Sequence, residues 1–154
     1  MFKKVALRIR NHFAQKKHTT NRKTVSFTKA NKIGILIEDI PQNNKIINKF
    51  VAEFEEAGKS VEVLCYTKGK NIKKGKTQKS KYKFKHHFIT SKDIRWNGKF
   101  KSKLIDKFIK TDFDYLFSLN TSPFLPFENI LIKSQAKCRI GSFHHKKENY
   151  YEFM

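Results

Sequence analysis

The chain has 154 residues, which suits one domain and leaves little room for two. Hydrophobic residues make up 38% of it, enough for one core, but no apolar run approaches the roughly 18 residues of a membrane span. The formal net charge is +21, from 34 Lys and Arg against 13 Asp and Glu, and such an excess predicts a polyanionic partner. Nucleic acid is the commonest partner of this kind, and an anionic membrane surface is the second. The N-terminus does not read as a secretory signal, so we expect a cytoplasmic protein.

The positive charge is concentrated in particular stretches. Residues 1–32 carry ten Lys and Arg and no acid, and residues 67–85 carry nine lysines and no acid. Residues 86–110 add seven basic and two acidic residues, whereas residues 33–66 and 111–154 are near neutral. Acid-free segments on a near-neutral body indicate dedicated contacts with a polyanion.

The first predicted element is a helix over residues 2–17. Apolar residues recur there at helical spacing and form one stripe, with polar residues on the opposite face. The stripe is Phe2, Val5, Ile9 and Phe13, and the opposite face is Lys4, Arg8, Asn11 and Gln15. Such a basic amphipathic helix either lies in a membrane interface or docks its stripe on its own domain and turns its cations outward. Residues 18–31 read as a polar linker.

A strand–helix–strand unit follows the linker. The apolar run KIGILIE at 32–38 predicts a strand that is buried on both faces. Apolar residues spaced three and four apart then predict a helix that ends at Gly58, and SVEVLCYT at 60–67 predicts a second strand. This spacing is typical of a βαβ unit, in which the strands pair in parallel through a right-handed crossover.

The next stretch is a lysine segment at residues 68–85, KGKNIKKGKTQKSKYKFK. Its low complexity predicts a protruding loop or an extended hairpin that is disordered without its partner. Tyr82 and Phe84 near its end either stack on unpaired bases or begin a strand and face the core.

Strands and helices alternate through the remainder. They are a strand at 86–90, a helix at 100–109, a strand at 113–119, a helix near 126–136 and a strand at 138–143. The whole order predicts an α/β fold, a small three-layer domain with a mostly parallel sheet, over residues 32–154. A basic helix and linker over residues 1–31 would precede it.

The residues that usually bind nucleotides are missing from this α/β pattern. The turn after the first strand, EDIPQNN, contains no glycine that would let a phosphate approach a helix N-terminus, so we expect no cofactor. Glu38, Asp39 and Asn120 lie at strand carboxyl ends, where α/β enzymes place their sites, but turns and caps also use these residue types. We expect no enzymatic activity, and a small enzyme with a site there is an alternative.

Histidine and cysteine give little sign of a metal site. The His pairs at 86–87 and 144–145 each join neighbouring residues, which point to opposite faces of a strand and cannot chelate together. The chain has no CxxC spacing, so we expect no metal. Cys65 and Cys138 lie in apolar strands and are expected to be buried reduced thiols, with a disulfide or a nucleophile as the unsupported alternatives.

The basic segments therefore carry the functional hypothesis. Lysine outnumbers arginine, which favours point contacts with phosphates over base readout and predicts binding to RNA shape rather than to a DNA sequence. We expect ribosomal RNA and neighbouring ribosomal proteins as partners, with a membrane surface as the alternative. The expected RNA contacts are Lys3, Lys4, Arg8, Arg10, Lys16, Lys17, Arg22, Lys23, Lys68, Lys70, Lys73, Lys74, Lys76, Lys79, Lys81, Lys83, Lys85 and Arg95. Trp96 is either a stacking platform or a packing anchor beside a turn.

Several stretches resemble a known group of proteins. KIGILIED, DIRWNGK, FDYLFSLN and KCRIGSF, together with the basic N-terminal helix, resemble an uncharacterised family of small basic α/β proteins of Bacteroidota. The resemblance covers most of residues 1–143, implies a small α/β fold and transfers no activity or catalytic residue. The portion from FDYLFSLN to KCRIGSF is also similar to the N-terminal half of heptosyltransferase-type glycosyltransferases, which implies at most a degenerate scaffold.

Overall fold

The computed structural model describes residues 2–17, 22–23, 25–68, 82–97, 99–120 and 124–141. Within these ranges the chain forms four α-helices and five β-strands. In chain order they are α1 (Phe2–Lys17), β1 (Lys32–Glu38), α2 (Asn44–Glu56), β2 (Ser60–Tyr66), β3 (His86–Ile89), α3 (Lys103–Lys110), β4 (Tyr115–Ser118), α4 (Leu125–Lys133) and β5 (Cys138–Gly141). This order confirms the alternation that the sequence predicts.

The five described strands form one parallel sheet in the order β3-β2-β1-β4-β5. β1 lies at the centre, where Ile35 pairs with Val63 of β2 on one side and with Phe117 of β4 on the other. The strand order reverses between β1 and β4, as it does in doubly wound α/β folds. The predicted fold class is therefore confirmed.

Alternating side chains of β1 build a core on each face of the sheet. Ile35 lies on the α2 face, in a buried cluster with Val51 and Phe54 of that helix. Leu36 lies on the opposite face, in a second cluster that includes Phe108 of α3 and Ile130 of α4. A central strand with helices over both faces must be apolar at every position, and this explains the unbroken run KIGILIE.

The last part of the connection from β2 to β3 lies on the α2 face of the sheet. Tyr82 and Phe84 are buried there in the same cluster as α2, so the interpretation that they face the core is confirmed and base stacking by them is wrong. The predicted protruding loop falls mostly on residues 69–81, which lie outside the described residues.

Helix α1 packs against α4 and adds a further layer on that side. Seven of the nine residues of α4 are buried, which requires such a cover. The face of α1 that contacts the domain carries Leu7 and Asn11, both buried. The Nδ2 group of Asn129 in α4 donates a hydrogen bond of 2.6 Å to Oδ1 of Asn11, and this polar pair sets the register of the two helices.

The predicted apolar stripe of α1 points away from the domain. Val5, Ile9 and Phe13 are 49%, 53% and 65% exposed, respectively. Residues four apart share one side of a helix, and Leu7 and Asn11 occupy the other side. The interpretation that the stripe docks on its own domain is therefore wrong, because the face predicted to be polar is the one that packs. No helix in the described ranges is long and apolar enough to cross a membrane.

Candidate nucleic-acid interface

A set of exposed cations follows the β3 edge of the sheet and helix α3. Between residues 82 and 110 every Lys and Arg side chain is exposed to solvent. We call these nine residues the basic edge: Lys83, Lys85, Lys92, Arg95, Lys99, Lys101, Lys103, Lys107 and Lys110. Their common exposure on consecutive elements makes them available to phosphates without any rearrangement of the core.

Only two acids occur in the same stretch of sequence. The carboxylate of Asp93 is engaged by a residue of the same turn. Its Oδ2 accepts hydrogen bonds from the N–H of Thr90 at 2.8 Å and from the hydroxyl of Thr90 at 2.9 Å. Asp106 is exposed on α3. Nine cations against two carboxylates, one of them turned inward, leave this surface strongly positive.

His87 shows how closely the cations of the basic edge approach one another. Burial is the main cause that lowers the pKa of His87, and the charges of Lys85, His86 and Lys107 lower it further. Glu62, whose Oε1 lies 3.8 Å from Nε2 of His87, opposes these effects without cancelling them. The approach to β3 and helix α3 therefore present their cations around one neutral imidazole.

Lys133 joins the basic edge to helix α1. It lies in the last turn of α4, where burial above all lowers its pKa to about 8. Arg10 of α1 and Lys99 of the basic edge lower the pKa further by repulsion, while Asp106 raises it. Cations from α1, α4 and the basic edge therefore lie close together, on one side of the sheet.

The structure exposes many of the cations that the sequence nominated. Those with exposed side chains are Lys4, Arg8, Lys23, Lys68, Lys83, Lys85 and Arg95, and Arg10 is half-buried. The side chains of Lys3, Lys16 and Lys17 and all of Lys70, Lys73, Lys74, Lys76, Lys79 and Lys81 lie outside the described residues. The members of the basic edge that were not nominated are Lys92, Lys99, Lys101, Lys103, Lys107 and Lys110. The excess of seven basic over two acidic residues in 86–110 was the signal that could have found them.

Two of the nominated cations already serve the fold. The guanidinium of Arg22 donates hydrogen bonds to the carbonyl oxygens of Ala136 and Ser134, just after α4. Nζ of Lys68 lies 2.6 Å from Oε1 of Glu38, and this hydrogen bond raises the pKa of Lys68. Both groups would have to leave or share these partners to bind a phosphate, so they contribute less than the basic edge.

The polar residues at the strand carboxyl ends are brought together, as their positions predict. Oδ1 of Asn120 accepts a hydrogen bond of 3.1 Å from the N–H of Glu38, which ties the end of β1 to the end of β4. The hydroxyl of Tyr82 donates to Oδ1 of Asp39 at 3.1 Å, which ties β1 to the chain that leads into β3. These bonds hold the carboxyl edge of the sheet together.

A comparison with protein families identifies the chain over almost its whole length. The model of a family of unknown function, DUF6913, matches residues 3–154. The chain belongs to this family. The match confirms the resemblance to an uncharacterised family, and DUF6913 brings no assigned activity with it. No curated protein and no solved structure gives a significant match.

The described part of this DUF6913 protein contains no cluster of metal-ligating side chains. Within the part of the chain that the structure describes, no group of three His, Cys, Asp or Glu side chains is placed to hold a metal ion. The His pair at 144–145 lies outside that part. Cys65 and Cys138 are both buried on the α2 face of the sheet.

Proposed function

We propose that this protein binds structured RNA, and that its target is ribosomal RNA in the cytoplasm, next to neighbouring ribosomal proteins. The α/β body acts as a scaffold. The basic edge, the lysines at 70–81 and the cations of α1 contact phosphates.

The observation that carries this proposal is the exposure of all nine cations of the basic edge, which follow the β3 edge of the sheet and helix α3. Each lysine that approaches a phosphate releases a condensed counterion, so affinity accumulates without any base contact. Through Lys133 the basic edge continues towards Arg10 of α1, which extends the positive surface across α4. A surface of this length suits the dense phosphates of folded RNA better than a small anionic ligand.

Sedimentation tests the proposal directly. The full chain is expected to sediment with ribosomes purified from its source cell at about 0.1 M salt and to be released at about 1 M salt, because phosphate contacts are screened. Mass spectrometry of the ribosomes before the salt wash should detect the native protein. A control run without ribosomes excludes self-aggregation. Protein that remains at the top of the gradient at low salt contradicts the proposal.

A second candidate function, binding to an anionic membrane surface, is favoured by the exposed stripe of α1. Val5, Ile9 and Phe13 lie on the side of α1 opposite to α4, and Lys4 and Arg8 of the same helix are exposed as well. A helix that offers apolar side chains between cations can lie in the interface of a bilayer that contains acidic lipids.

Substituting the stripe separates this candidate from RNA binding. The triple variant Val5→Ser, Ile9→Ser, Phe13→Ser is expected to bind anionic vesicles at least about tenfold more weakly in a flotation assay, because it removes apolar area from the bilayer. Ile46→Ser is the control, since Ile46 is exposed on α2. Equal binding of the triple variant and the wild type would contradict the membrane function. Ribosome sedimentation of the triple variant should remain unchanged.

A further inference from the structure

Trp96 is the most exposed of the large hydrophobic residues that the structure describes, at 75%. A tryptophan that anchors a fold is normally buried, so the interpretation of Trp96 as a packing anchor is wrong. Its side chain is open to solvent in the stretch of chain that carries the basic edge.

A short hairpin holds Trp96 in this position. Ile94 and Phe100 form an antiparallel bridge, and the N–H of Arg95 donates to the carbonyl oxygen of Lys99 at 2.8 Å. Ile94 is buried, and Phe100 packs against the core on the α3 face. Both ends of the hairpin are therefore anchored, and Trp96 projects from a fixed support rather than from an unconstrained loop.

Four exposed cations flank Trp96 in the sequence. Lys92, Arg95, Lys99 and Lys101 all lie within five residues of Trp96, and all four are exposed. The acid within this stretch, Asp93, accepts hydrogen bonds from the N–H and the hydroxyl of Thr90. One aromatic plane among four cations matches a nucleotide, which presents a flat base beside an anionic phosphate.

We propose that Trp96 stacks on an unpaired RNA base while the neighbouring cations contact the adjacent phosphates. This inference rests on the proposed RNA binding and deepens it, because it specifies single-stranded or looped RNA at this point of the interface. Bases inside a duplex are already stacked and cannot reach the indole. The two aromatic residues of the lysine segment, Tyr82 and Phe84, are buried and cannot stack on a base.

The fluorescence of Trp96 reports on this contact without any label, since the chain has a single tryptophan. Titration with a single-stranded RNA of about 10 nucleotides is expected to quench the emission of the full chain at low salt. A blunt duplex RNA that carries the same number of phosphates per strand should bind with much less quenching. Bound single strand that leaves the emission unchanged would overturn the inference.

Substitution provides the second readout. Trp96→Ala is expected to bind the single strand about 10- to 100-fold more weakly in a competition assay, with Trp96→Phe intermediate and duplex binding unchanged. Phe13→Ala, which removes another exposed aromatic, is the control. If Trp96→Ala binds single strand like the wild type, the inference fails and the proposed function stands. If the wild type binds no RNA at low salt, both fail. If Trp96→Ala loses ribosome sedimentation but keeps RNA binding, Trp96 contacts a protein and the inference fails.

Discussion

Replacing Lys85, Lys101 and Lys107 with glutamine is expected to lower the affinity for structured RNA about 100- to 1000-fold at about 0.1 M salt. The three side chains are exposed in three parts of the basic edge. Lys85 lies just before β3, Lys101 lies between the Trp96 hairpin and α3, and Lys107 lies on α3. For each phosphate contact that is lost, one fewer counterion is released from the RNA on binding. The slope of log affinity against log salt should therefore fall by about 2 to 3. Fluorescence anisotropy over a salt series measures both quantities.

A matched triple variant controls for net charge. Lys29, Lys45 and Lys49 are exposed before β1 and on α2, and their replacement by glutamine removes the same three charges. This variant keeps all nine cations of the basic edge, so we expect less than about a fivefold loss of affinity. Equal losses in the two triple variants would show that RNA binding follows the net charge and that the basic edge is not the interface.

The sequence was sufficient to predict the layers of the fold, because the spacing of apolar residues in each element is typical of either a strand or a helix. β1 is apolar on both of its alternating faces, so it could only be an interior strand. In α2, Ile47, Val51 and Phe54 follow helical spacing, and Gly58, with its positive φ of 73°, ends the helix. Local chemistry determined these elements, and a parallel sheet with right-handed crossovers left little choice in their arrangement.

The orientation of α1 could not be predicted, because it depends on a surface formed elsewhere in the chain. One of the two interpretations of the helix placed its most apolar side against the domain, yet Leu7 and Asn11 lie there. Asn11 finds its partner in Asn129, more than a hundred residues away, and such a pair has no local signature. Hydrophobic periodicity identifies a helix and its faces, but it does not identify which face a distant neighbour will complement.

The proposed interface includes residues that the sequence did not single out. Acid-free stretches pointed to the lysine segment, whose last part contains Tyr82 and Phe84 as core residues. The basic edge lies in a stretch of mixed charge and was recognised only as an excess in a count. Every cation in 82–110 is exposed to solvent, whereas one of the two acids, Asp93, accepts hydrogen bonds from Thr90. Burial of this kind depends on tertiary structure and is invisible in composition.

Asp114 is the carboxylate on which the start of the sheet depends. It lies just before β4 and is buried in an otherwise apolar stretch. Its Oδ2 accepts hydrogen bonds from the N–H of Asn31 at 2.7 Å and of Lys32 at 3.0 Å, and its Oδ1 accepts one from Nζ of Lys137 at 2.8 Å. One side chain therefore joins the beginnings of β1, β4 and β5.

Asp114→Ala is expected to lower the free energy of unfolding by about 3 kcal/mol at neutral pH, because two backbone N–H groups lose a charged acceptor. Burial would raise the pKa of Asp114, but the bonds from Lys137, Asn31 and Lys32 together hold it below its ordinary value of 3.8. A carboxyl whose pKa is lower in the folded state stabilises the fold above its unfolded pKa and loses that effect as the pH falls through the folded value. The difference in the free energy of unfolding between wild type and Asp114→Ala, measured by urea denaturation, should therefore narrow below about pH 4.

Asp112→Ala is the control, since Asp112 is exposed and its Oδ2 lies 3.8 Å from Nζ of Lys137. The stability of this variant should barely change. Equal losses in the two variants would show that Asp114 acts only through its charge near Lys137 and not by joining the strands.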